Sequence, residues 1–149
     1  MNDPFSLARF VEAQCGVYPQ VLAELRAGEK RSHWIWFVFP QIKGLGRSPL
    51  AVHFSIDSLE EAAAYARHPV LGPRLIECTE LVNRVEGRTI GQIFGFPDDL
   101  KFRSSMTLFA RVVPDCTVFA DALKKYFDGE PDQRTLELLG SSETRVPIS

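Results

Sequence analysis

Apolar residues recur at spacings of three and four along most of this chain, and the breaks between the runs fall at glycine and proline. Leu75, Cys78, Val82 and Val85 make one such series between Pro73 and Gly87, and Phe102, Met106, Phe109 and Val113 make another from Asp98 to Val113. A turn of 3.6 residues puts each series on one face, so both segments predict helices with one buried stripe. Phe119, Leu123, Tyr126 and Phe127 repeat the pattern, behind Asp115 or Thr117 as the cap and ahead of Asp128-Gly129 as the stop.

Caps mark the remaining helices. Asp3-Pro4 reads as an N-cap with proline at the first helical position, leading Phe5, Phe10, Val11 and Cys15 toward the core; Tyr18-Pro19 opens a second helix that Gly28 closes. Ser58-x-x-Glu61 and Thr89-x-x-Gln92 have capping-box form, the first leading to His68-Pro69 and the second to Gly95. His68 then closes its helix with a charge suited to the negative end of the dipole. Asp132 caps a last helix with Leu136 and Leu139 inward, ending at Gly140.

These elements predict an all-α fold of about eight short helices, one helical domain over 1–140 with a frayed tail at 141–149. One region keeps an alternative open. Val52, Phe54 and Ile56 alternate with Ala51, His53 and Ser55, and Trp34 to Phe39 is a short aromatic run, so an α+β fold with a two-stranded ribbon of 34–39 and 51–56 is the runner-up.

Composition narrows the partners. At 149 residues, 45% hydrophobic and 24% charged, the chain suits a packed domain rather than disorder. A net charge of -2 supplies no field for nucleic acid or anionic lipid. The longest apolar run, Trp34 to Phe39, falls far short of the ~20 residues that cross a bilayer. Met1-Asn-Asp-Pro has none of the regions of a signal peptide, so a cytoplasmic location is expected. Cys15, Cys78 and Cys116 are odd in number and widely spaced, which suits reduced, mostly buried thiols. His53 and His68 have no ligand-spaced carboxylates or thiols, so neither a metal nor a cofactor is expected.

Several motifs together carry a likeness: Phe10-x-x-Ala13-Gln14, Gly28-x-Lys30-x-Ser32-His33-Trp34-x-Trp36-Phe37, Pro40-Gln41-x-x-Gly44-Leu45-Gly46-x-Ser48, His68-Pro69-x-Leu71-Gly72 with Arg74-Leu75, and Lys101-x-Arg103-Ser104-Ser105-x-Thr107-Leu108-Phe109. From about Phe5 to Leu139 the chain resembles the uncharacterised bacterial and fungal family called domain of unknown function 1810, sometimes mislabelled calpastatin. That label belongs to a disordered, repetitive inhibitor, whereas this composition packs. The resemblance implies a compact all-helical domain, with two short helices around a loop in the 32–56 region, and no established activity. At Phe54 the family pattern favours tyrosine, so no polar role is given to this position.

Three clusters are candidates for chemistry. His33-Trp34-x-Trp36 offers indole faces for stacking and an imidazole for proton transfer; the competing reading is a helix start whose rings fill the core. Gln41-x-Lys43-Gly44-Leu45-Gly46-Arg47 can bring amides and cations to an anion, though Pro49 breaks the dinucleotide-binding glycine pattern; the competing reading is a glycine-containing turn with solvated cations. Lys101, Arg103, Ser104 and Ser105 cluster near a helix start, where cations and hydroxyls could share a phosphate or carboxylate; packing between helices competes. Glu60-Glu61 and Asp98-Asp99 read as first-turn carboxylates without chemistry.

The functional expectation is a pocket for a small anionic, nucleotide-like or phosphorylated metabolite. Trp34 or Trp36 would stack, Gln41, Lys43, Arg47, Lys101 and Arg103 would bind the anion, and His33 with Ser104 or Ser105 would move protons. The alternative is a non-catalytic protein-protein interaction module. The first reading requires residues 33–47 and 101–105 to share one cleft.

Overall fold

The computed structural model describes residues 3–143. Ten helices occur among them: α1 (Ala8–Gln14), α2 (Tyr18–Ala27), α3 (Ile35–Val38), α4 (Pro49–His53), α5 (Leu59–Arg67), α6 (Leu71–Arg84), α7 (Ile90–Phe94), α8 (Asp98–Val112), α9 (Val118–Phe127) and α10 (Gln133–Glu143). The fold is compact and all-α. The two helices beyond the eight marked by caps are α3 and α4, in the region where helix and ribbon competed. Pro40 lies just beyond α3, and Ser48 opens α4 by accepting a hydrogen bond from the Ala51 N–H at 3.2 Å.

The ribbon of 34–39 with 51–56 is absent. What the alternation at Val52 to Ile56 leaves is one parallel bridge between Ile42 and Ile56, in which Ile56 N–H donates to Gln41 O and Lys43 N–H donates to Ile56 O, both at 2.8 Å. Pro40 borders one segment, and Ser58 opens α5 two residues after Ile56 on the other, so the bridge does not extend into a ladder.

Helix α8 lies at the centre, packed against α3, α5, α7, α9 and α10. Phe102 and every residue from Ser104 to Phe109 are buried. The expected single stripe is therefore too narrow: the middle of this helix, Ser104 to Phe109, is enclosed on all sides. Its hydroxyls are accommodated locally, Ser104 Oγ donating to Leu100 O at 3.1 Å and Thr107 Oγ1 donating to Arg103 O at 2.8 Å.

Aromatic rings fill the space around α8. Phe102 meets Phe39 edge-on at 5.0 Å and stacks on Phe94 at 4.8 Å, while Tyr65 and Phe119 lie 5.5 and 5.7 Å from Phe109. Pairs in these geometries add about 0.5–1.5 kcal/mol each beyond area burial.

Three cap expectations shift. Helix α1 begins at Ala8, and Asp3 reaches it across a turn, accepting from the Leu7 and Ala8 N–H groups at 2.8 and 3.0 Å. His68 does close α5, yet its Nδ1 accepts from the N–H groups of Val70 and Leu71 at 3.1 and 3.2 Å, so it caps the start of α6 through a lone pair. Helix α10 runs past Gly140 to Glu143, and residues 144–149 of the expected tail lie outside the described residues. Of the three cysteines, all free, only Cys78 is buried; Cys15 is exposed.

Candidate functional site

Gly28 sets the site's geometry. It ends α2 in the left-handed conformation, φ 74°, a turn that costs glycine little. The chain then doubles back, so residues 31–34 reach Glu24 on the last turns of α2. Glu24 Oε1 accepts from Arg31 N–H at 2.8 Å, Ser32 N–H at 3.0 Å and Trp34 Nε1–H at 2.9 Å. Its Oε2 accepts from Ser32 Oγ–H at 2.6 Å and Gln20 Nε2–H at 2.8 Å. Burial pushes this carboxyl up, but the hydrogen bonds from Ser32, Arg31 and Gln20 outweigh it and hold the pKa at about 2.

A second carboxylate joins this loop to α8. Asp98 Oδ2 is 2.7 Å from Lys30 Nζ, and Oδ1 is 3.4 Å from Lys101 Nζ. Each lysine lies over one tryptophan: Lys30 Nζ is 5.1 Å from the Trp34 ring centre and Lys101 Nζ is 5.2 Å from that of Trp36. The Lys30 side chain is 5% exposed and also donates to Ser32 O at 2.6 Å, so it is fixed; that of Lys101 is 24% exposed.

Behind α3, Phe37 O accepts from Gln14 Nε2–H at 2.7 Å and Tyr65 Oη–H at 3.2 Å. Arg74 in turn donates to Gln14 Oε1 at 3.2 Å. A buried polar brace therefore holds the short helix that carries Trp36. Trp36 itself is half-buried, and its Nε1–H is buried without an acceptor.

The sequence-derived candidates divide by place. Trp34, Trp36 and Lys101 come together through Lys30 and Asp98. Trp34 is buried, with its N–H bonded to Glu24, so it offers no open face. Ser104 is buried with its hydroxyl on Leu100 O, and Ser105 is buried with an unpartnered hydroxyl. Arg103 points toward the segment before α10, donating to Glu130 O at 3.0 Å and lying over the Phe127 ring at 5.1 Å. His33, Lys43 and Arg47 are exposed, and Gln41 is half-buried; no ion pair engages these cations among the described residues. The glycine loop packs by Gly44 toward Leu138 of α10.

Lys30, Asp98 and Glu24 are central here without having been singled out for chemistry. Lys30 was visible only as part of a motif, Asp98 only as a first-turn carboxylate, and Glu24 carried no local signal.

Two wide clefts lie elsewhere, neither lined by any residue of 33–47 or 101–105. One of about 540 Å³ is lined by Ser6, Arg9, His53, Ser55, Asp57 and Glu61 among others. Its arginine is already spent, donating to the carbonyls of Phe5, Ser6, His53 and Ser55 and to Glu61 Oε2. All five guanidinium N–H groups are used, so Arg9 is a clamp between the start of the chain and α5 and has no donor for a ligand. Among the described residues no group of three or more His, Cys, Asp or Glu gathers to hold a metal ion, and no helix is long and apolar enough to cross a membrane.

Comparison with known proteins places this arrangement in a family. Residues 4–139 match the family model described as "Protein of unknown function (DUF1810)". A solved structure, described as the conserved hypothetical protein Rv1873 from Mycobacterium tuberculosis, is 62% identical, with 93% of this chain and 99% of that chain covered and a TM-score of 0.92. No curated protein matches the sequence.

Proposed function

The chain belongs to the DUF1810 family of proteins of unknown function, and from that premise we propose that it binds a small anionic metabolite, nucleotide-like or phosphorylated, where Trp36 meets the start of α8. The observation that carries this reading is an ammonium over an indole whose own N–H has no acceptor: Lys101 Nζ is 5.2 Å from the Trp36 ring centre, and Trp36 Nε1 is buried and unpaired. A buried donor left unpaired costs roughly 1–3 kcal/mol. A ligand oxygen accepting from it, once the half-buried indole turns outward, would recover that cost and gain the ammonium as well.

Gln41, Lys43 and Arg47 on the following loop are the outer contacts in this reading, reached by the distal part of a longer ligand. Trp34 supports the site from beneath, and Arg103 serves the fold. Ser104 and Ser105 are buried, which leaves exposed His33 as the one group of the three suited to proton transfer. Binding is what we propose, with no reaction assigned.

The test is a thermal-shift screen of adenosine nucleotides and sugar phosphates against wild type, Lys101→Ala and Trp36→Phe. A ligand at about a hundred times its Kd adds ~2.7 kcal/mol, or roughly 5–10 °C for a domain of this size. The shift should vanish in Lys101→Ala and shrink in Trp36→Phe. Absence of any shift in wild type refutes the reading.

One observation favours a second reading, the interaction module. Phe96 is 82% exposed and Leu100 is 46% exposed, on either side of Asp98 in sequence. In this reading the two side chains form part of one apolar docking face. A dimeric mass in light scattering that Phe96→Ser reduces to a monomer would support it, and a monomeric wild type would count against it.

A further inference from the structure

We propose that the cleft of about 540 Å³ between the turn that precedes α1 and the segment joining α4 to α5 binds a small organic cation, an ammonium on an apolar stem. This site is separate from the one at Trp36 and stands or falls independently of it.

The polar groups of the cleft divide into spent and unspent. Arg9 has all five N–H donors engaged, four by backbone carbonyls and the fifth by Glu61 Oε2 at 2.8 Å. Glu61 Oε1 in turn accepts from Asp57 N–H at 3.0 Å, so the pair forms a wall without net charge. The Ser55 hydroxyl is turned to Val52 O at 2.9 Å. Asp57 differs from these: it is exposed, it lines the cleft, and no ion pair or hydrogen bond engages its carboxylate among the described residues. The cleft therefore offers a ligand an anionic acceptor and no guanidinium donor.

An apolar wall stands beside that acceptor. Phe5 is half-buried, and Val52 is 56% exposed on α4, a helix with no buried residue. A ligand's stem laid between them would cover both, as in sites where apolar walls carry a few placed polar groups.

The charges around the cleft favour a cation once each is counted. Segments 3–9 and 53–61 carry Asp3, Asp57, Glu60 and Glu61 against Arg9 alone. The positive end of α5 opposes a cation with about half a charge, and Glu60 and Glu61 in its first turn offset it. Lys43 meets Ile56 O through its N–H but does not line the cleft. An anion placed here would face Asp57 with no free donor from Arg9 to compensate. His53 also lines the cleft, so the test is set near pH 8, where an ordinary imidazole is uncharged.

The experiment is titration of the 15N-labelled full chain, followed by amide chemical shifts, with 2-phenylethylammonium, 2-phenylethanol and phenylacetate. The three probes share an apolar body and differ in charge. At about 20 mM salt the ammonium should bind roughly five- to tenfold more tightly than the alcohol, the upper range of an exposed ion pair strengthened by partial enclosure, and the acid should bind least. The amides that shift should include those of Phe5, Ser6, Val52 and Asp57. In Asp57→Asn the ammonium should fall to the level of the alcohol, and Val52→Lys, which brings a cation to the rim, should abolish its binding. Both positions are exposed, so neither substitution removes a core contact. Equal binding of ammonium and alcohol in wild type, a tighter acid, or a preference that survives Asp57→Asn overturns the proposal. So does the absence of any shift with the ammonium. None of these results bears on the nucleotide screen at Lys101.

Discussion

Glu24 gives the sharpest quantitative expectation. It is 3% exposed and accepts five hydrogen bonds, four of them from the loop that carries Trp34. Its carboxyl is held at about 2 against an ordinary 4.5. Because the folded value is depressed, the carboxylate contributes its full stabilisation above the unfolded value, and this is lost as pH falls toward the folded one. A gap of roughly 2.5 units at 1.36 kcal/mol each gives about 3 kcal/mol, of which about 2 is gone by pH ~3. Glu24→Gln isolates this contribution. The amide oxygen can keep the three donors on Oε1, and Gln20 and the Ser32 hydroxyl can turn to accept from the amide NH2, so the variant loses charge rather than contacts. Urea unfolding followed by circular dichroism, repeated from about pH 7 to pH 3, should show wild type ahead at neutral pH and the gap mostly closed in acid. A gap that stays constant with pH would refute the reasoning, because the hydrogen bonds would then be indifferent to the charge they are credited with stabilising.

Arg9→Met should cost about 3–5 kcal/mol in urea unfolding, since it strands Glu61, whose side chain is 4% exposed; adding Glu61→Gln should return part of the loss. Gly72→Ala should prevent folding or destabilise severely, because its Cβ would lie 2.2 Å from the Ala66 carbonyl oxygen. Gly91→Ala, with nothing nearer than 3.8 Å, should instead raise the unfolding free energy by up to the ~1 kcal/mol that separates glycine from alanine in a helix. A thiol reagent should label exposed Cys15 in the native protein and reach Cys78 only on unfolding, since burial pushes that thiol up to about 12; fast native labelling of Cys78 would contradict its burial.

The fold was legible where the signal was local. Thr89 and Gln92 form both bonds of the capping box that their spacing predicts, and Tyr18-Pro19 and Gly28 bound α2 as read. Ser58 and Glu61 form only half of theirs: Ser58 Oγ accepts from Glu61 N–H, but the Glu61 carboxylate turns to Asp57 N–H and Arg9. Arg9 is distant in sequence, and an arginine saturated by carbonyls outbids a local cap for that carboxylate. The enclosure of α8 was hidden for a related reason. Ser104 and Thr107 satisfy themselves on the preceding turn, and Ser105 is buried with its hydroxyl unpartnered, so polar letters sit in the core and the pattern understates burial.

The chemistry was legible as residue types and obscured as charges. A sequence shows that Lys101 and Arg103 are cations near hydroxyls, but whether a cation is available depends on its partner. Arg103 is engaged by Glu130, and Lys101 shares Asp98 with Lys30. Lys30 and Lys101 share Asp98 and lie among Glu24 and Asp99 as well, so the excess of positive charge that the motifs suggest is offset by carboxylates.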